Sequence, residues 1–199
     1  MFIKEQLKNG IRIVAEEIKY VNSISIGIWV KTGSRYENNQ NNGVSHFIEH
    51  MLFKGTKKRS AKEIASSIDK IGGQLNAFTS KECTCFYAKV LDSHLDIALE
   101  ILSDMFLNSS FSKIEIEKEK GVVLEEINMY EDSPEDLVHD IFTQTVWAGN
   151  SLGMSILGTE NSLNSLTREN IIDYFGNNYT PNNIVISLVG NFERNYESI

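Results

Sequence analysis

Apolar and polar residues alternate through the first thirty positions, and the alternation predicts a β opening. FIKEQLKNGIRIVAEE reads as two short strands around an Asn9-Gly10 turn, and SISIGIWVKTG as a third strand. After the Asn-rich stretch ENNQNNG, a loop by composition, the period changes. VSHFIEHMLF sets Val44, Phe47, Ile48, Met51 and Leu52 at helical spacing. Ser60 with Glu63 forms a capping-box pattern ahead of AKEIASSIDKI, and Gly72-Gly73 stops that helix. QLNAFTSKECTCFYAKVL follows as strand, turn and strand. Ser93 with Asp96, and Ser112 with Glu115, repeat the capping signal before helices over 94–107 and 113–131. Ser133-Pro134 starts another helix that runs to about Trp147. AGNSLGMSILGTEN, rich in Gly and Asn, reads as irregular. Thr167 caps a helix to about residue 178, Pro181 ends that region, and the apolar run NIVISLVG suits a buried strand.

The pattern therefore predicts about six strands and six helices. Its strands cluster in hairpins rather than in strict βαβ alternation, which points to an α+β fold: one mixed, largely antiparallel sheet with helices packed on it. The length of 199 residues, with 41% hydrophobic and 23% charged, suits one domain over 1–199 with a single substantial core. There is no internal repeat, linker or low-complexity tract.

Charge narrows the partners. A formal net charge of −8 and a pI near 5.1 leave little for counterion release on nucleic acid or for an anionic membrane surface, and favour basic partners. MFIKEQLKNG has no apolar signal-peptide core, and no window approaches the roughly 20 apolar residues of a membrane span, so the expectation is a cytoplasmic chain. The two cysteines, Cys83 and Cys85, sit two apart in a strand-like run, too constrained for an ordinary disulfide, and read as small hydrophobes on one strand face.

Candidate chemistry lies in HFIEH, residues 46–50. Side chains at i and i+4 are about 40° apart around a helix, so the imidazoles of His46 and His50 can reach one cation, with Glu49 on the adjoining side. Two neutral nitrogen donors and a carboxylate able to handle a water proton are what a catalytic zinc requires. A third protein ligand is then needed. The charged segment SKIEIEKEKGVVLEEINMYE offers Glu115, Glu117, Glu119, Glu125, Glu126 and Glu131, and composition does not choose among them. Glu119 and Glu126, seven apart, face nearly the same way, so one could ligate while the other supports it from behind.

The arrangement His-x-x-Glu-His is the inverted zincin signature. The sequence around it resembles the insulinase/pitrilysin family of zinc metallopeptidases (family M16), whose members include the mitochondrial processing peptidases. Five blocks carry the resemblance in family order: GVSHFIEHMLFKGT, IGGQLNAFTSKECTCFYA, EKGVVLEEI, LGMSILGTEN and YTPNNIVISLVGNF. It implies one Zn2+ per chain, held by His46, His50 and a glutamate about 76 residues beyond the second histidine, here Glu126 with Glu125 as its neighbour and rival. It makes Glu49 the general base, which takes a proton from water and returns it to the leaving amine, and Glu119 the supporting carboxylate. GGQLNAFTSKE resembles the family's edge strand that pairs with substrate backbone, making Asn76, Ala77 and Phe78 the substrate-binding candidates.

The resemblance also implies the N-terminal, metal-binding half of an enzyme built from two homologous halves, which leaves the second half to another segment, a separate subunit or a homodimer partner. The expected activity is zinc-dependent endopeptidase cleavage of peptides or flexible protein segments. The alternative is a non-catalytic peptide-binding subunit that works only with a partner half.

Overall fold

The computed structural model describes residues 2–192. Six strands form one sheet: β1 (Phe2–Gln6), β2 (Arg12–Glu17), β3 (Ser23–Val30), β4 (Gln74–Thr79), β5 (Thr84–Leu91) and β6 (Ile184–Gly190), in the order β1-β2-β6-β3-β5-β4. Every neighbouring pair is antiparallel except β2 with β6, which makes the sheet mixed. The apolar run of β6 is explained by its place between β2 and β3, deep in the sheet. β4 is an edge.

Among the described residues there are seven α-helices: α1 (Val44–Leu52), α2 (Ala61–Asp69), α3 (Leu95–Asn108), α4 (Lys113–Glu131), α5 (Pro134–Val146), α6 (Glu160–Ser165) and α7 (Arg168–Asn178). Period two in the strands decides where they pack. Ile24, Ile26, Ile28 and Val30 of β3, with Phe86, Ala88 and Val90 of β5, are buried in one core with α1, α2, α3, α4 and α7. On the opposite face Ser25, Trp29 and Tyr87 are exposed. No helix among the described residues is long and apolar enough to cross a membrane.

Three local readings need correction. The segment expected to be irregular ends in α6, whose Thr159 cap is closed by Ser162 rather than by the acidic or amide residue a capping box usually shows at that position. The expected caps at Ser93 and Ser112 make no side-chain bond, and His94 rather than Ser93 precedes α3. Cys83 lies half-buried in the turn before β5, where its sulfur contacts the Ser80 hydroxyl. Only Cys85 is buried in the strand.

Candidate metal centre

Helix α1 is pinned by its apolar stripe: Val44, Phe47, Ile48, Met51 and Leu52 are all essentially inaccessible. At helical period that stripe leaves His46, Glu49 and His50 on the side facing α4 and the β4 edge. The residue before α1 is Gly43, with φ near 90°, and a Cβ there would stand 2.6 Å from the Leu157 carbonyl oxygen. A capping side chain is thereby excluded. Its role falls to Glu37, a buried carboxylate that accepts from the Gly43 and Ser45 N–H groups (2.7 and 2.8 Å) and from Asn42 Nδ2 (3.0 Å). Ser45 is held again through its hydroxyl, 3.0 Å from that of Tyr174 on α7. The residue before His46 is thus fixed on two sides.

On α4 the stripe Ile116, Glu119, Val123 and Ile127 is buried, which places one carboxylate within an apolar face, and Glu126 stands beside it. His46, His50 and Glu126 converge, their donor atoms all within 4.8 Å of one another. The same oxygen, Glu126 Oε2, lies 3.7 Å from His46 Nε2 and 3.7 Å from His50 Nε2, too far for hydrogen bonds. Burial, then the neighbouring His50, lowers the His46 pKa to about 4, so its ring is neutral at pH 7. Glu119 Oε1 is 2.8 Å from His50 Nδ1, and its Oε2 is 2.6 Å from Lys54 Nζ. Burial alone would raise the Glu119 pKa, but the bonds to His50 and Lys54 outweigh it and the net shift is downward. An ionised carboxylate only accepts, so the proton in this contact sits on Nδ1 of His50, and in the neutral ring that tautomer leaves the Nε2 lone pair for a cation.

His46 Nε2, His50 Nε2 and Glu126 Oε2, brought this close together, form a donor set that a cation satisfies when each imidazole presents a lone pair there. Tetrahedral bonds of about 2 Å would separate ligand atoms by about 3.3 Å, and the two histidine–Glu126 separations, 3.7 Å each, are a few tenths of an ångström wider. The residues fit a zinc ion. Glu115 and Glu117 are engaged by Lys118 and Lys120, while Glu125 and Glu131 are exposed and stand outside the convergence.

Glu49 is half-buried beside this group. Desolvation raises its pKa against the opposing hydrogen bond from the Thr79 hydroxyl. Thr79 ends β4, so the sheet edge runs directly to Glu49. The Ser80 N–H donation to the Cys83 carbonyl (2.8 Å) sets the phase of the β4–β5 hairpin, and by alternation Ala77 and Thr79 turn their backbone groups to the open edge. The Ala77 N–H is met there by its neighbour's side chain, Asn76 Oδ1, at 2.8 Å. Phe78 points to the sheet face away from α1, edge-on to Trp29 at 5.7 Å. Of the three edge residues, Ala77 is the one that shares Thr79's side of the strand.

Sequence reading missed Glu37, Thr79 and Lys54. A helix that begins at Gly43 without a capping side chain is the signal for a remote cap, and the parity of Thr79 with Ala77 is the signal for its side of the strand. Nothing in the spacing marks Lys54.

The sequence model of the family described as Insulinase (Peptidase family M16) matches residues 12–160. YmxG of Bacillus subtilis (strain 168), named an uncharacterized zinc protease, is 53% identical over 189 residues, covering 95% of this chain and 46% of that protein. The mitochondrial-processing peptidase subunit beta of Rattus norvegicus is 41% identical over 184 residues, covering 92% of this chain and 37% of that one. Among solved structures, a protease from Helicobacter pylori superposes with a TM-score of 0.93 at 26% identity, covering 98% of this chain and 47% of its own. The chain spans less than half the length of each of these proteins.

Proposed function

The chain belongs to the insulinase family, peptidase family M16, and from that premise we propose that residues 1–199 are the metal-binding catalytic half of a zinc-dependent endopeptidase. The observation that carries the reading is the convergence of His46, His50 and Glu126 on one point, with Glu119 behind His50 and Glu49 alongside. Zinc names among the relatives support the choice of ion. One Zn2+ per chain is held by those three residues. When bound, zinc supplies Lewis acidity toward water and toward a peptide carbonyl.

The chain's own residues do the rest. Glu49 takes a proton from the attacking water and returns it to the leaving amine. Its raised pKa lies in the direction a base working near neutrality needs. The hydroxyl of Thr79 orients that carboxylate. The open edge of β4, with Asn76, Ala77 and Phe78, receives the substrate as an added strand. Backbone pairing tolerates varied side chains and so suits peptides or flexible protein segments. The charge of −8 favours basic ones.

A second reading, a peptide-binding subunit that needs a partner half for activity, is favoured by the coverage: the chain matches less than half of each relative, and the rat protein is by name one subunit of an assembly. Helix α5 supports a partner, whether a second M16 half or another copy. None of its residues is buried, and Val138, Ile141, Phe142 and Val146 are each more than half exposed. Neither reading calls for a nucleic acid or a membrane, and a cytoplasmic location is part of the proposal.

Elemental analysis of the purified chain, paired with hydrolysis of an unstructured peptide before and after chelation, separates these readings. One zinc per chain with chelator-sensitive hydrolysis is the expected result. Zinc without hydrolysis favours the partner-dependent subunit, and no zinc after reconstitution overturns the metal centre.

A further inference from the structure

A neutral imidazole offers one nitrogen to a cation only when the other carries the proton, and the partner of that second nitrogen decides which tautomer is present. The two histidines of α1 differ in this respect. His46 Nδ1 is buried and has no hydrogen-bond partner among the described residues. His50 Nδ1 faces Glu119 Oε1 at 2.8 Å, so control over the donor set is concentrated at His50.

The carboxylate that exerts this control is itself fixed. Glu119 is 3% exposed, and its second oxygen lies 2.6 Å from Lys54 Nζ. Lys54 follows α1, four residues after His50. The N–H groups of Phe53 and Lys54 bond the His50 and Met51 carbonyls, both at 3.1 Å, which sets the origin of the lysine side chain relative to the imidazole. A carboxylate free to turn about its terminal bond can present either oxygen, or neither, to a neighbour. With the ammonium holding Oε2, Oε1 is left facing Nδ1. The ion pair also prevents Glu119 from standing as an unpaired buried charge, which a protein interior tolerates poorly.

We propose that Lys54 is a positioning residue for the metal centre: by holding Glu119 it keeps the His50 proton on Nδ1 and leaves Nε2 free for zinc. This rests on the zinc-centre reading above. It adds a residue that touches neither the ion nor its ligands.

The test measures zinc affinity of the whole chain by competition with a chromogenic chelator, in wild type, Lys54→Met, Lys54→Arg, Glu119→Gln and the Lys54→Met/Glu119→Gln double variant. Loss of an outer partner of a ligating histidine typically weakens metal binding by about 10–100-fold, and Lys54→Met is expected at the lower end, about tenfold. Lys54→Arg, which keeps a cationic donor, is expected to recover most of that loss. In the Glu119→Gln background Lys54→Met is expected to change nothing further, because the lysine acts through the carboxylate. Nitrogen-15 NMR of the metal-free, histidine-labelled protein supplies a readout independent of zinc: His50 protonated at Nδ1 in wild type, and mixed between nitrogens in Lys54→Met. Undiminished affinity in Lys54→Met, or an equal loss in both backgrounds, overturns the proposal. If Lys54→Met does not fold by circular dichroism, Lys54→Gln carries the same comparison. Failure of the zinc-centre reading is seen separately, as wild-type affinity that His46→Ala leaves unchanged.

Discussion

Glu126 reaches across from α4 to bring Oε2 to 3.7 Å from Nε2 of His46 on α1, a contact between residues eighty positions apart in the chain. Its sequence neighbour Glu125 is exposed and takes no part. Replacing the two in turn is therefore a sharp comparison. Glu126→Ala is expected to lose zinc by more than the roughly 10–100-fold typical of an outer partner, and Glu125→Ala to keep it at one per chain. Elemental analysis after dialysis reads both. Zinc retained in Glu126→Ala, or lost in Glu125→Ala, would reassign the third ligand.

Glu49 stands beside the three donors but is not one of them. Glu49→Gln keeps the shape and can keep the bond to Thr79 while removing the carboxylate proposed as the base. The expected outcome is unchanged zinc content with turnover reduced by about 10²–10⁴-fold, the usual contribution of a positioned general base. Peptide hydrolysis at saturating substrate checks it, and full activity in this variant would remove Glu49 from the mechanism.

The β4 edge makes a different prediction. The Ala77 N–H turns outward and meets only Asn76 within its own strand, so a peptide adding to the edge competes with that side chain for a donor. Ala77→Pro deletes the donor. It is expected to raise KM several-fold while zinc content and kcat change little, the signature of binding lost equally from ground and transition states. An unaltered KM would place the substrate elsewhere.

That His46, Glu49 and His50 share one side of α1, and that Glu119 and Glu126 face nearly the same way seven residues apart, was legible because each is a statement about one helix, where spacing fixes direction. Strands and most helices were legible for the same reason. What spacing could not supply was any relation between elements. Spacing pairs Glu119 with Glu126 but does not choose a ligand among the six glutamates of α4 until α1 packs against it, and the lysine that holds Glu119 looks like any charge after a helix. Glu37 was hidden in the same way, since its role exists only because Gly43 is pressed against Leu157 and Gly158. Helix α6 was missed because its cap uses Ser162, a residue type that does not announce a helix start three positions on.

The loop that follows Lys54 is anchored by Asp104, a buried carboxylate of α3. Its Oδ2 accepts from Thr56 Oγ1 at 2.7 Å and Arg59 at 2.8 Å, and its Oδ1 from Asn108 at 2.8 Å. Burial would raise its pKa, but the bonds from Thr56, Arg59 and Asn108 prevail and hold it below the usual 3.8. Because the folded state has the lower pKa, it binds fewer protons than the unfolded chain in the acid range. The stabilisation is therefore complete above the unfolded pKa and is lost as pH falls through the folded value. Asp104→Asn is expected to lower stability at neutral pH by about 1–3 kcal/mol, the range for removing a charged partner from buried donors. The difference from wild type is expected to shrink as the pH is taken below 3.8, since wild type then loses what the variant never had. Urea denaturation at neutral pH and near pH 3 measures both quantities. A gap that is the same at the two values would mean that Asp104 contributes through packing and not through its charge.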